Sequence, residues 1–430
     1  MLAVPNMATQ AGCFTFAAMN LKQAIRLLKT APLLRPVLLA IDGLLWLTDT
    51  LALVGNRRQP GTRPGLVVLK FDALGDYLML RPYLRHLKEQ PDYQPYSFCL
   101  CGNVAFRQLA EFADADLFDS FIWVDIYKLS TKPLYRWRVA RQLRRRGFAV
   151  SLNPTYSRVL VLDDFLTRVA GAAVRLGAVA DQTNSTPVEA RWGNRYFTRL
   201  LPTTPAIVFE AERNRQLFGA LLQTAVPLLP LSLPVGPEPR VALPSTYVIL
   251  SPGAGAPDKI WHMARFATVL TTLNALRPDL PVVVTGTPAE TALYDELKTY
   301  LPAGLPVVSL VGVLSQAELI TAVARARLVL ANDSGIVHMA AAVGTPCLSL
   351  SAGKSLVRWH PYPAGLAPMI QHVYPAYFDR WAGQFDRIAP DTAAEAPVPV
   401  DSLDTDRVAT ALRQLLRDTD QRFSTPSTVK

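Results

Sequence analysis

Arg327-Leu-Val-Leu-Ala-Asn-Asp-Ser-Gly-Ile-Val-His-Met-Ala-Ala-Ala-Val-Gly-Thr-Pro-Cys-Leu-Ser-Leu350 is the stretch that decides the fold class. Leu328–Leu330 is a short apolar run of buried-strand type. Asn332, Asp333, Ser334 and Gly335 then break the pattern and offer capping side chains. Ile336–Val343 follows as a helix of small and apolar residues, closed by Gly344 and prevented from continuing by Pro346. Apolar almost all round, it belongs inside the protein. Cys347–Leu350 is a second strand. The unit is strand, tight turn, helix, strand. The open N-terminus of such a helix carries unpaired N–H groups and a partial positive charge, which suits an anion. Gly335 allows a ligand close to the backbone, and His338 stands one turn further on. On these residues alone, a plain capped βαβ turn explains the pattern equally well.

The same alternation runs outward in both directions. Leu66–Phe71 is a mostly apolar strand, Asp72-Ala-Leu-Gly-Asp76 a glycine-containing turn, and Tyr77–Lys88 a helix, the opening of a Rossmann-like half. Strands are predicted at Tyr96–Cys101, Phe121–Val124 and Ala149–Leu152, with helices at Asn103–Glu111, Leu134–Arg146 and Val159–Ala170. Six prolines between Val226 and Ser245 (Pro227, Pro230, Pro234, Pro237, Pro239 and Pro244) exclude a helix or a central strand and mark an interdomain linker. A second series begins at Tyr247–Ser251, with strands at Val282–Thr285, Val307–Leu310, Leu328–Leu330 and Cys347–Leu350. Its helices are Trp261–Leu276, Ala289–Tyr300 and Gln316–Arg325. Repeated β-α order implies parallel sheets covered on both faces. The chain divides into an N-terminal apolar extension (1–60), a Rossmann-like half (61–235), a second such half (236–400), and a C-terminal helix with a polar tail (401–430).

The 430 residues are half hydrophobic, which excludes wholesale disorder and suits two domains. A net charge of +10 points to an acidic partner: nucleic acid, an anionic membrane surface or a phosphorylated substrate. The four cysteines, Cys13, Cys99, Cys101 and Cys347, make no Cys-x-x-Cys pair and no disulfide scaffold, which fits a reducing cytoplasm. Residues 1–20 lack a positively charged n-region before an apolar core, so no signal peptide is expected, and Met19 is an alternative start. The apolar segment 32–54 carries Arg35, Asp42 and Asp49 at intervals of seven, continued by Asn56, which on a helix make one narrow polar face. An aspartate at a bilayer centre costs roughly 2.5–3.5 kcal/mol, so the segment reads as an interfacial helix or one docked on the protein, not a span. Arg136, Arg138, Arg141, Arg144, Arg145 and Arg146 form a basic cluster on a single helix. A solvated helix face is the default reading of such a cluster, but with Arg57 and Arg58 it suggests docking on an anionic cytoplasmic leaflet.

The motif Asp333-Ser-Gly-Ile-Val-His338-Met-Ala-Ala-Ala-Val-Gly-Thr-Pro346 resembles the signature of the heptosyltransferase family, glycosyltransferase family 9. Leu69-Lys-Phe-Asp-Ala-Leu-Gly-Asp76 resembles that family's N-terminal Leu-Gly-Asp element, and Ser251-Pro-Gly-Ala-Gly255 with Lys259-Ile-Trp261 its Pro-Gly-Ala and Lys-x-Trp elements. Thr285-Gly-Thr-Pro-Ala-Glu290 resembles the loop that holds the donor's nucleoside. Trp359-His-Pro-Tyr362 fits the family ending, whereas the preceding Ser351-Ala-Gly-Lys-Ser355 departs from the common Phe-Gly-x-Thr form.

The resemblance implies a GT-B architecture, α/β with two Rossmann-like domains facing across a cleft. It also implies inverting sugar transfer, with ADP-heptose and a lipopolysaccharide core as the family's substrates. Asp76 is then the base, with Asp72 a competitor in the same turn. Gly253, Lys259, Glu290, Asp333, Ser334, Gly335 and His338 hold the donor, and Asn153 and Arg158 line the acceptor side together with Asp72. Asp76 and Glu290 have a bland alternative as caps of their own helices. No metal or other cofactor is expected, the nucleotide sugar being a co-substrate. Asp114-Ala-Asp116 and Asp404-Thr-Asp406 have a metal-like form but are read as structural. The expected partners are the nucleotide-diphosphate sugar, an anionic glycolipid acceptor and an anionic membrane surface, with the enzyme peripheral on the inner face of the cytoplasmic membrane. Two rivals stand beside this reading. One is an epimerase-like nucleotide-sugar enzyme on the same architecture. The other is a basic nucleic-acid binder, for which no recognised module is present, and no nucleic acid is expected as a partner.

Overall fold

The computed structural model describes residues 35–181, 183–381, 383–385 and 398–424. The readings made above of residues 1–20 lie outside these. Helix α1 (Arg35–Leu53) precedes the first half. That half then runs β1 (Gly65–Lys70), α2 (Leu74–Glu89), β2 (Ser97–Asn103), α3 (Arg107–Ala113), β3 (Ser120–Val124), α4 (Ile126–Thr131) and α5 (Pro133–Arg145). It continues with β4 (Val150–Asn153), a π-type turn at Leu160–Asp164, α6 (Phe165–Ala170), β5 (Val174–Ala178), α7 (Pro187–Asn194), β6 (Arg199–Leu201) and α8 (Glu210–Leu222). The proline-rich stretch after α8 carries neither helix nor strand.

The second half runs β7 (Val248–Ser251), α9 (Met263–Leu276), β8 (Val282–Val284), α10 (Thr291–Tyr300), β9 (Val307–Ser309), α11 (Gln316–Arg325) and β10 (Leu328–Asn332). It ends with α12 (Gly335–Val343), β11 (Cys347–Leu350), β12 (Ile370–Val373) and α13 (Thr405–Ser424). The C-terminal helix α13 buries Val408, Leu412, Leu415 and Leu416 in the core of this half.

Each half holds one six-stranded sheet, ordered β3-β2-β1-β4-β5-β6 in the first and β12-β11-β10-β7-β8-β9 in the second. Every described ladder is parallel. Counted from its own first strand, each sheet has the doubly wound order 3-2-1-4-5-6. The order reverses between β1 and β4 in one sheet and between β7 and β10 in the other. Ligands bind such sheets outside the carboxyl ends of the strands at that reversal. The central strands are buried on both faces, which is why they read as unbroken apolar runs.

Asp49 and Asn56, two members of the polar series, face the protein and not solvent. Asp49 is fully buried and grips Arg136 of α5 with two hydrogen bonds, Arg136 Nε to Asp49 Oδ1 at 2.8 Å and Nη2 to Oδ2 at 2.6 Å. Asn56 donates to the Arg141 carbonyl at 3.0 Å. The polar residues fix α1 to the domain, and leucines face outward. Arg136, read above as part of a basic surface, is interior for the same reason.

Asp114 is likewise interior, not a surface turn. It accepts from Tyr77 at 2.6 Å, from Arg81 Nε at 2.8 Å and from Arg85 at 2.8 Å, so its carboxylate is fully engaged in packing. Asp404 and Asp406 are exposed at the start of α13.

Candidate active site

The glycine turns of the two halves meet. Gly75 lies in the first turn of α2, and a β-carbon there would fall 2.5 Å from the His338 ring of α12. A β-carbon on Gly335 would touch the Leu74 side chain at 3.0 Å. The close approach anticipated at Gly335 is therefore made by the opposite half, not by open space. These small residues let two helix N-termini face each other, with Asp76 next to the contact.

Between the halves lies a cavity of about 980 Å³. Leu74, Val104, Arg107 and Gln108 line it from the first half. Gly253, Thr285, Thr287, Glu290, Ser334 and Gly335 line it from the second. The rim is tied across by Gln316, which accepts from the Leu109 N–H at 3.0 Å and donates to the Ala105 carbonyl at 2.6 Å.

Four of the seven predicted donor residues thus share one wall: Gly253, Glu290, Ser334 and Gly335. Glu290 also caps its own turn, accepting from the Thr287 N–H at 2.5 Å and the Thr287 hydroxyl at 3.0 Å. Its Oε1 occupies the place a side chain on Gly253 would need, 1.6 Å from an added β-carbon. A side chain on Gly253 would therefore displace the Glu290 carboxylate.

Lys259, Asp333 and His338 are not among the residues that line this cavity. Lys259 Nζ contacts Asp333 Oδ2 at 2.7 Å. Burial alone would raise the Asp333 pKa, but Lys259, then His360 and His338, outweigh it and hold the carboxyl well below its ordinary value. His338 is buried, and that burial pushes its imidazole down to about 4 against the opposing pull of Asp333, so the ring is neutral near pH 7. Its Nδ1 lies 2.5 Å from the Tyr362 hydroxyl. The capping expected of Asn332, Asp333 and Ser334 is not made. Asn332 is spent on the Pro252 carbonyl and the Trp261 N–H, Asp333 on Lys259, and Ser334 is the N-cap with no side-chain bond. The first turn of α12 thus keeps its N–H groups uncapped by side chains, the condition under which a helix start takes an anion.

On the other side, Asp76 sits in the first turn of α2 and accepts the Ala73 N–H at 3.2 Å. Asp72 pairs with the buried Lys70 at 2.9 Å and accepts from the Thr155 hydroxyl at 3.0 Å, joining the ends of β1 and β4 at the reversal point. Burial would lower the Lys70 pKa, yet Asp72, Asp76 and Glu210 outweigh it and keep the amine charged. Arg358 reaches across from the second half, donating to Glu210 Oε2 at 2.9 Å and to the Ser157 hydroxyl at 2.8 Å. Burial opposes its charge too, and Glu210 and then Asp76 restore it. Lys70, Glu210 and Arg358 went unnoticed in the sequence. Arg358 directly precedes the quoted Trp359–Tyr362 motif, but Glu210 lies 148 positions away and no local pattern links them.

Asn153 and Arg158 are placed differently from the expected acceptor lining. Both are fully buried. Asn153 donates to the Asp163 carbonyl at 3.1 Å and accepts the Thr155 N–H at 3.1 Å. Arg158 pairs with Asp164 at 2.9 Å and lies over the Phe197 ring at 4.3 Å. Their polar groups shape the loop after β4 from inside and present nothing to a cleft.

The sequence model described as glycosyltransferase family 9 (heptosyltransferase) matches residues 136–374. The chain belongs to glycosyltransferase family 9. This transferase is 26% identical over 268 residues to lipopolysaccharide heptosyltransferase 3 of Escherichia coli, covering 60% of the chain and 72% of that relative. Its fold is similar to that of E. coli ADP-heptose lps heptosyltransferase II, with a TM-score of 0.61 at 18% identity, over 83% of this chain and 99% of the other. It is also similar to E. coli heptosyltransferase WaaC solved with ADP-2-deoxy-2-fluoro heptose, with a TM-score of 0.58 at 16% identity, over 81% and 99%. The architecture of this transferase is accordingly GT-B.

Proposed function

We propose that this transferase moves heptose from ADP-heptose to a lipopolysaccharide core or related glycolipid, with inversion, at the cytoplasmic face of the membrane as a peripheral enzyme. The observation that carries the reading is the meeting of the Asp76 turn with the start of α12 beside a cavity walled by Gly253 and Glu290. A nucleotide in that cavity has its nucleoside against Gly253 and Glu290, and its diphosphate toward Ser334, Gly335 and Lys259. The relative whose structure contains an ADP-heptose analogue supports the choice of donor, and the lipopolysaccharide heptosyltransferase relative the choice of acceptor.

In the proposed step the acceptor hydroxyl oxygen attacks the anomeric carbon from the face opposite the diphosphate. The bond from that carbon to the diphosphate oxygen breaks, and the hydroxyl proton passes to Asp76. An ordinary aspartate, with a pKa of about 3.9, is a weak ground-state base. It is adequate here because the hydroxyl turns acidic as the new bond forms. The leaving diphosphate gains charge, which Lys259 and the uncapped N–H groups of α12 stabilise as donors already in place. Lys259 is partnered by Asp333, so its contribution is positioned charge rather than net charge. This assignment uses no metal, and turnover is expected to survive a chelator.

ADP release from ADP-heptose, measured with and without a lipopolysaccharide-core acceptor, tests the reading. Release only with acceptor is the expected result. Release or sugar isomerisation without acceptor would favour the epimerase-like alternative. Gly253→Ala supplies a second check. The added methyl displaces the Glu290 carboxylate, so affinity for ADP should fall about tenfold, near 1.4 kcal/mol, in calorimetry. Unchanged affinity would remove the nucleoside from this wall.

A further inference from the structure

We propose that the outward face of α1 and the neighbouring arginine face of α5 form one surface that docks on a bilayer carrying anionic lipid. The inference deepens the membrane part of the reading above but is carried by separate observations. With Asp49 and Asn56 turned inward, α1 shows solvent Ile41, Leu44, Leu47 and Leu51, followed by Val54. The spacing is three, three, four and three residues, a single helical stripe. Leu44 and Leu51 are each 55% exposed and Val54 is 68% exposed. No helix among the described residues is long and apolar enough to cross a membrane. An apolar stripe on such a helix suits shallow burial at the lipid–water boundary.

The occupant is specified by charge. The contacts of α1 and of the segment after it with α5 advance together along the chain, from Asp49–Arg136 to Asn56–Arg141 and then Gln59–Arg145. The two therefore run side by side. Beyond the end of α1 lie the exposed Arg57 and Arg58. On α5, Trp137, Arg138, Arg141 and Arg145, with Arg146 just past its end, line an open cavity of about 410 Å³. Arg141 is 4.8 Å from the Trp137 ring. Leu134, one turn before Arg138 on α5, is 61% exposed. Leucines next to arginines with an interfacial tryptophan match the layering of a bilayer surface, acyl chains beneath phosphate headgroups. An apolar protein partner would complete the stripe but would leave the arginines without counter-charge.

Flotation of the full chain with vesicles free of donor and acceptor tests this without reference to catalysis. Vesicles of phosphatidylcholine with about one-third phosphatidylglycerol should bind at least tenfold more protein than pure phosphatidylcholine, with high salt erasing most of the difference. Arg138→Gln with Arg145→Gln and Arg146→Gln should reduce binding to the phosphatidylcholine level. Leu44→Asp with Leu51→Asp should lower binding to both vesicle types. All five side chains are exposed, so the thermal midpoint of each variant should match the parent. Equal flotation of parent and both variants overturns the proposal. So does a parent that ignores vesicles, whether it is monomeric or forms a dimer that Leu44→Asp with Leu51→Asp splits; the dimer would assign the stripe to a second copy.

Discussion

Asp76→Asn should lower turnover by about 10²–10⁴-fold, the usual range for a lost general base, and leave ADP affinity unchanged. The substitution removes a proton acceptor and keeps an oxygen for the Ala73 N–H, so the start of α2 survives. Asp76 also lies beside Gly75, the residue packed on His338, which puts it at the junction of the halves. Asp72, its competitor, is tied to Lys70 at 2.9 Å and to Thr155 at 3.0 Å, a structural engagement across the sheet reversal. Single-turnover rates with saturating donor separate the two. A nearly normal rate in Asp76→Asn together with a dead Asp72→Asn would move the base to Asp72. Loss of ADP affinity in Asp76→Asn would instead point to a role in holding the halves together, through the charge Asp76 shares with Lys70 and Arg358.

The second large effect is on stability. Asp49→Ala should destabilise the protein by about 3–5 kcal/mol, because it leaves the Arg136 guanidinium buried without its carboxylate. Both side chains of the pair are fully buried, and Arg136 Nη1 already lacks a hydrogen-bond partner, so little remains to compensate. The Val161 carbonyl, 2.8 Å from Arg136 Nη2, would be the main contact left. Replacing both members, Asp49→Leu with Arg136→Met, should recover most of the loss, since a buried ion pair is worth little more than the apolar packing that replaces it. Urea unfolding at neutral pH gives both numbers. A midpoint unmoved in Asp49→Ala would mean that α1 is not held to α5 by this pair. The same pair also makes residues 35–53 part of the domain, so removing them exposes Arg136 and the neighbouring apolar surface rather than trimming an appendage.

What the sequence determined by itself is local. Apolar runs of strand length, small-residue helices ending at Gly344 and Pro346, and a proline-rich stretch between two β-α series follow from backbone preferences and periodicity within a few residues. Gly335 was legible as a place of close approach. Short strands such as β6 (Arg199–Leu201) and β12 (Ile370–Val373) were not foreseen, because a few residues of mixed composition become a strand only when a neighbour pairs with them. Strand order was equally beyond reach, since parallel neighbours are joined through long crossovers.

Tertiary structure also decided what each charged side chain is for. The seven-residue polar series of α1 is the same whether it faces water or protein. Only Arg136, 87 positions from Asp49, sets its direction and turns the leucines outward. Asn153 and Arg158 have the composition of a ligand site, but the fold encloses them and their hydrogen bonds are made internally. Glu210 and Arg358 become a pair only when the two halves close on each other. A buried charge has to be matched by whatever the fold brings within a few ångströms, and that distance bears no relation to separation along the chain.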